Sequence, residues 1–214
     1  MGYIMCMDNW EIALSVMVGV GLSAACGFRI FIPPLVLCIA GKAGHMTFGP
    51  DFAWMDSNFA LAAFGLATAL EIGAYYVPWL DNALDTIAAP TAVVAGTLTS
   101  ALVFEGDMSP WLKWSLAAIA GGGAAGAVQM TTTVARGASS ALTGGTTNWI
   151  VSTGEAIGAT ITAVLALVVP VLVFFGLVLL AGYIIYRNPL RMYRQWWARN
   201  EPAGPVPEPN VMAV

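Results

Sequence analysis

Apolar positions in this 214-residue chain gather into five long runs, 12–40, 58–78, 86–104, 111–133 and 155–186, with short polar segments between them. A helix needs about 20 apolar residues to cross the hydrocarbon core of a bilayer. The pattern therefore predicts an all-α, polytopic membrane helix bundle with about five spans. The first and last runs are too long for simple crossings. At a rise of 1.5 Å per residue the last would reach about 48 Å, against a core of about 30 Å. Each holds a breaking signal: Gly27 with Pro33-Pro34 in the first, Pro170 in the last. Proline removes a backbone donor and clashes with the preceding turn, so both runs are expected to be kinked or broken. Two half-helices at either place would change the span count by one.

Ionisable residues interrupt these runs in the same order in each half. Arg29, Glu71 and Pro90 are followed by Arg136, Glu155 and Pro170. A charge at bilayer depth costs a few kcal/mol or more, so it faces a partner or a cavity. The repeated order suggests a degenerate internal repeat, a layout common among transporters.

Composition agrees with a membrane domain. The chain is 58% hydrophobic and 9% charged, with a mean hydropathy of +0.77, whereas a soluble domain carries about a quarter charged residues. Residues 1–186 are read as one membrane helical domain, and 187–214 as a cytoplasmic basic-aromatic segment ending in a Pro-rich tail. Met1 to Trp10 has no Lys or Arg, so the positive region of a secretory signal is missing. Net charge is −4, but the placement of Lys and Arg matters more. Arg187, Arg191, Arg194 and Arg199 follow the last run and put the C-terminus in the cytoplasm. Five crossings then place the N-terminus outside, the loops of Lys42 and Lys113 inside, and the loop of Asp81 and Asp85 outside. The tryptophans, Trp10, Trp54, Trp79, Trp111, Trp114, Trp149, Trp196 and Trp197, all fall at or near a predicted border, as amphipathic indoles do. Gly122/Gly126 and Gly154/Gly158 have small-xxx-small spacing, which suits packing within the bundle or between copies. Tyr186 to Arg199 mixes Arg with Tyr193, Trp196 and Trp197 and reads as an interfacial segment meeting anionic headgroups.

Several chemistries find no support. Cys6, Cys26 and Cys38 lack metal spacing, and two of them lie in apolar sequence, where Cys acts as a small hydrophobe. His45 is the single histidine and has no ligating companion, so no metal, haem or other cofactor is expected. No catalytic arrangement, P-loop or dinucleotide fingerprint emerges, and the protein is read as not an enzyme. The basic residues form no patch for nucleic acid outside the tail.

The polar centre is read from Arg29, Glu71, Asp81, Asp85, Arg136 and Glu155. Arg29 cannot lose its proton, so it pairs or meets a broken-helix end. Glu71 is either a structural partner of an arginine or a proton or cation site. Asp81 and Asp85 share a helix face, either as a repelling pair open to a cation or as solvated helix-start residues. In the second half, Gln129, Thr131, Thr132 and Thr133 lead to Arg136, then a polar stretch to Ser152 and Glu155. Dense hydroxyls suit irregular backbone lining a polar cavity. The alternative is an ordinary loop, with Ser152 and Glu155 as a capping box at a helix start.

Three strings carry a family resemblance. They are Gly21-Leu-Ser-Ala-Ala-Cys-Gly-Phe-Arg29 with Pro33-Pro34; Glu71 with Pro78-Trp-Leu-Asp-Asn-Ala-Leu-Asp85 and Pro90; and Arg136-Gly-Ala-Ser-Ser-Ala-Leu-Thr-Gly-Gly145 with Ser152, Glu155 and Pro170. Together, over about 15–175, they resemble a family of small bacterial membrane proteins known as a domain of unknown function, number 4126. The resemblance implies a polytopic inner-membrane protein and no particular activity. The chain departs from the family pattern at Gln129 and Thr132, in place of a His and a Lys, and at Ala156, in place of an acidic residue. Those changes weaken a proton relay in the second half.

Two functions follow. One is a transporter or channel for an ion or small polar solute, built around the buried Arg/Glu/Asp centre. The other is an accessory subunit of a larger membrane complex, whose partners would be the lipid bilayer and further copies or other chains.

Overall fold

The computed structural model describes residues 9–104, 108–144 and 146–187, and no strand occurs among them. The expected all-α architecture is what is observed. One compact unit spans residues 1–175 and a second spans Gly176–Val214. The Arg-rich segment beyond Arg187, the Pro-rich tail and Cys6 lie outside the described residues.

The bundle is organised around α1 (Asn9–Cys26), whose residues Leu22 to Cys26 are fully buried. Gly27 ends it where the Ala125 carbonyl and Val128 approach so closely that no Cβ fits. A new helix, α2 (Ile32–Lys42), starts at once, with Pro33 and Pro34 in its first turn. Prolines cannot extend the α1 ladder, but the opening turn of a helix needs no N–H donors, so they begin a helix well. The first run is thus broken where the sequence signals it.

The break is a fold-back. Leu14 and Val18 of α1 line the same cavity of about 890 Å³ as Val36 and Ala40 of α2. Had α1 continued into α2 as one rod, those residues would lie tens of ångströms apart. The arms begin near Glu11 and end near His45, at the same cavity, with residues 27–31 at the tip. The first run is thus two arms of a hairpin, the half-helix alternative to one crossing, with the start of α1 and the Lys42 end of α2 at the same end of it.

A 3-10 turn (Pro50–Asp56) leads into α3 (Asn58–Ala74), capped by Ser57, whose hydroxyl accepts the Ala60 amide at 3.0 Å. Helix α3 packs on α2. After a short turn, α4 (Pro78–Val103) runs unbroken through Pro90. Next, α5 (Pro110–Leu116), a π-helical turn (Ala117–Gly122) and α6 (Gly123–Thr143) follow without interruption. The π turn brings Gly121 and Gly122 against Gly96, Ser100 and Thr97 of α4. Gly126 lies on Val93, so the Gly122/Gly126 pair packs within the molecule, whereas Gly154 faces open space. Gly144, at φ +63°, closes α6 in the left-handed conformation that suits glycine. Helix α7 (Asn148–Val168) stops at Val169, and Pro170 begins α8 (Pro170–Arg187), so the last run is also broken.

Thr86–Val103 and Asn148–Val168 are each long and apolar enough to cross a membrane. The 3-10 turn with α3, bent by 68°, makes a third if counted as one span. Trp10–Cys26, Ile32–Lys42 and Pro170–Tyr183 are apolar but shorter. Trp10, Trp54, Trp111, Trp114 and Trp149 are exposed near the ends of their elements, where indoles meet headgroups.

Candidate functional site

The tip of the α1–α2 hairpin carries Arg29, which is 99% buried. It turns toward α7. Its Nη2 donates to the Ser152 hydroxyl at 2.6 Å and the Ser152 carbonyl at 2.8 Å, and lies 3.2 Å from Glu155 Oε2. Glu155 is buried as well and is gripped from α6 by Arg136, whose Nε donates to Oε1 at 2.9 Å while Nη2 donates to Oε2. This two-point fork is the strongest ion-pair geometry available to a carboxylate. Both guanidiniums lie over the ring of Tyr75, at 3.9 Å and 4.1 Å from its centroid. A desolvated contact of this type adds about 2 kcal/mol.

Glu71 plays a different part. Its two oxygens accept the amides of Ile30 at 2.8 Å and Phe31 at 3.1 Å. These amides lie just ahead of α2, at and before its N-cap Phe31, where the α1 ladder has ended. The carboxylate both satisfies them and faces the positive end of the helix dipole. Glu71 thus holds the broken helix open at its tip.

The structure therefore brings four of the six sequence-derived residues to one place. Arg29, Arg136 and Glu155 form one cluster, and Glu71 binds the backbone beside it. The side chains of Asp81 and Asp85, on α4, lie outside the described residues. Two local readings are corrected. Arg136 sits on a regular helix instead of irregular backbone, since α6 continues to Thr143. The capping box fails because α7 begins at Asn148 behind Thr147, which leaves Ser152 and Glu155 inside the helix and buried. Tyr75 and the ligand role of Ser152 were missed. Tyr75 stands four residues after Glu71, the helical spacing that shares a face, and that was the available signal.

No group of three or more His, Cys, Asp or Glu suited to a metal occurs among the described residues. Cys26 contacts Thr99 at 3.3 Å inside the α1–α4 packing, and with Cys38 it is buried.

A family model described as a domain of unknown function, DUF4126, matches residues 16–188. The chain belongs to the DUF4126 family. That match takes in both arms of the hairpin from Val16 on and every residue of the arginine–glutamate cluster. The comparisons with curated proteins and with solved structures gave no match. The site in this DUF4126 member is therefore argued from its chemistry alone.

Proposed function

We propose that the protein is a small membrane transporter or channel for an ion or small polar solute, with the cluster at the hairpin tip as its binding centre. One observation carries this reading: Arg29 is 99% buried yet leaves Nε and Nη1 without an acceptor among the described residues. A buried charge with open donors costs several kcal/mol, and folds that keep one put it to use. Its setting supports the reading. The donors sit where a helix is broken inside an apolar bundle, the arrangement by which transporters expose polar groups at membrane depth. The positive-inside pattern of the tail is consistent with a cytoplasmic C-terminus in a bacterial inner membrane.

The test is solute flux in liposomes containing the purified protein, measured for inorganic cations, inorganic anions and small organic acids. Flux that disappears on Arg29→Gln, in a variant that still elutes as a folded species, supports transport. Absence of flux, together with a stable complex recovered from native membranes, would favour the accessory-subunit reading. The exposed apolar side chains of α6, Met130, Val134 and Leu142, suit a protein neighbour of that kind as well as they suit lipid.

A further inference from the structure

The cavity between the hairpin arms has the layout of a site for an amphiphile. Its volume is about 890 Å³, and α1, α2, the end of α4 and α7 line it. Small-molecule sites span about 300–1,000 Å³. Polar and apolar groups separate along the arms. On α1, Glu11 comes first, and Leu14 and Val18 lie deeper toward the tip; on the returning arm Val36 and Ala40 lie deep, and His45 and Thr47 come last. Ser15 gives its hydroxyl proton to the Ile12 carbonyl at 2.9 Å, so its side chain adds no free donor to the wall. Val103, Val164, Leu167 and Val168 complete an apolar body. The polar mouth is at headgroup level, marked by exposed Trp10 next to Glu11 and by exposed Trp54 in the 3-10 turn after the His45 loop. Ile39, Val164 and Val168 of the lining are 51%, 44% and 70% exposed, so the cavity opens sideways, where lipid meets the bundle. Glu11 stands about 22 Å along α1 from its end at Cys26, far from the arginine cluster.

We propose that this cavity binds one membrane phospholipid with a primary-amine headgroup, of the phosphatidylethanolamine class, its acyl chain among the apolar residues and its ammonium at Glu11. The site is separate from the hairpin-tip cluster and does not rest on the transport reading. Charge selects the headgroup. Glu11 is the one Asp, Glu, Lys or Arg among the described residues lining the cavity, so a cationic head is favoured over an anionic one. Lys42, exposed at the end of α2 beside the lining residue Ala43, supplies the opposite charge for the phosphodiester of such a zwitterion. A primary ammonium donates three hydrogen bonds. A trimethylammonium has none to give, so the carboxylate separates ethanolamine from choline. A wholly polar solute is excluded by the apolar body, where its hydrogen bonds would go unmade. A second copy of the chain fits less well, because a pocket that is polar only at its mouth matches a tail with one polar end, not a helix face.

The experiment is native mass spectrometry of the full chain released from detergent micelles. The protein is titrated with phosphatidylethanolamine, phosphatidylcholine or phosphatidylglycerol of identical acyl chains. The expected result is one saturable phosphatidylethanolamine adduct, about fivefold or more tighter than either of the others, the worth of a charge-assisted hydrogen bond. Glu11→Gln, at an exposed position, should bring that affinity down to the phosphatidylcholine value. Ala40→Phe fills the cavity and should remove binding of all three lipids. If that variant does not fold, the wild-type headgroup series and Glu11→Gln still decide. Equal affinity for the three headgroups overturns the proposal, as does a preference for phosphatidylglycerol or a phosphatidylethanolamine preference untouched by Glu11→Gln. An Ala40→Phe protein that keeps its lipid adduct but changes oligomeric state in size-exclusion chromatography also overturns it, and gives the cavity to a second copy.

Discussion

Glu71 accepts the amide of Ile30 at 2.8 Å, so the first carboxylate of the polar centre binds backbone and leaves the preceding arginine to another partner. Arg29 crosses instead to α7 and meets Ser152 and Glu155. The hairpin tip is held from two directions: by Glu71 at the start of α2 and by the α7 contacts of Arg29. Glu71→Gln should therefore weaken the tip without abolishing it, since an amide oxygen still accepts one N–H while its NH2 opposes the other. A loss of about 1–2 kcal/mol is expected. Glu71→Ala should cost more, because both amides are left unpaired. Denaturant or thermal unfolding in detergent checks the order. If the alanine variant is as stable as wild type, Glu71 does not hold the tip.

Glu155 meets both buried arginines, so its loss touches more contacts than the loss of either one. Glu155→Gln removes the carboxylate that both arginines meet and should cost about 3–5 kcal/mol, the penalty for breaking a buried pair from one side. Arg136→Gln should cost less, because Glu155 then keeps Arg29 as a partner 3.2 Å away. Unfolding of the single variants and of the double variant Arg136→Gln/Glu155→Gln reads this directly. The double variant should lose less than the sum of the two singles. Equal losses for the two singles would argue against Glu155 as the shared partner of both arginines.

The breaks and the buried charges were legible in the sequence, whereas their partners were not. Gly27, Pro33-Pro34 and Pro170 mark helix ends through local sterics, which act over a few residues and can be read there. A charge inside an apolar run reports its own cost, so Arg29, Glu71, Arg136 and Glu155 stood out. Which carboxylate meets which arginine depends on the direction of α2 after the tip. No local rule fixes that direction, and the fold-back exchanged the pairing that sequence order suggests. Ser152 and Glu155 misled for a related reason. Their spacing fits a capping box, but the same spacing places two residues on one buried helix face, and only the start of α7 at Asn148 separates the two readings.

Small residues in this bundle divide sharply by what lies opposite them. A Cβ on Gly27 would fall 2.6 Å from Val128 Cβ and still nearer the Ala125 carbonyl, and one on Gly121 would fall 2.7 Å from the Gly96 carbonyl. Backbone cannot yield as a flexible side chain can, so Gly27→Ala and Gly121→Ala should each destabilise by about 1–3 kcal/mol. Gly137 and Gly154 sit within helices and meet nothing within 4 Å. Their alanine variants should be neutral or more stable by up to about 1 kcal/mol, since alanine loses less entropy in a helix. Thermal unfolding of the four variants side by side tests the packing of α1 on α6 and of α4 on the π turn. A destabilised Gly154→Ala would reveal a contact outside this chain, such as a second copy.

The fold-back of the first apolar run has a direct distance test. Leu14 and Ala40 line one cavity in the hairpin, whereas a straight helix would separate them by about 39 Å, 26 residues at 1.5 Å each. Spin labels at Leu14→Cys and Ala40→Cys, with the three native cysteines replaced, should give a dipolar distance far shorter than the straight-rod value. Labels at Leu14 and Phe28 supply the internal ruler, because they report the length of the α1 arm alone. A single narrow distribution near 39 Å would restore a single crossing and move the Lys42 loop to the far side of the membrane. A short distance leaves Arg29 at the turn of a re-entrant hairpin. The buried cation then stands where two half-helices meet, and local opening of the tip exposes it without displacing a full membrane span.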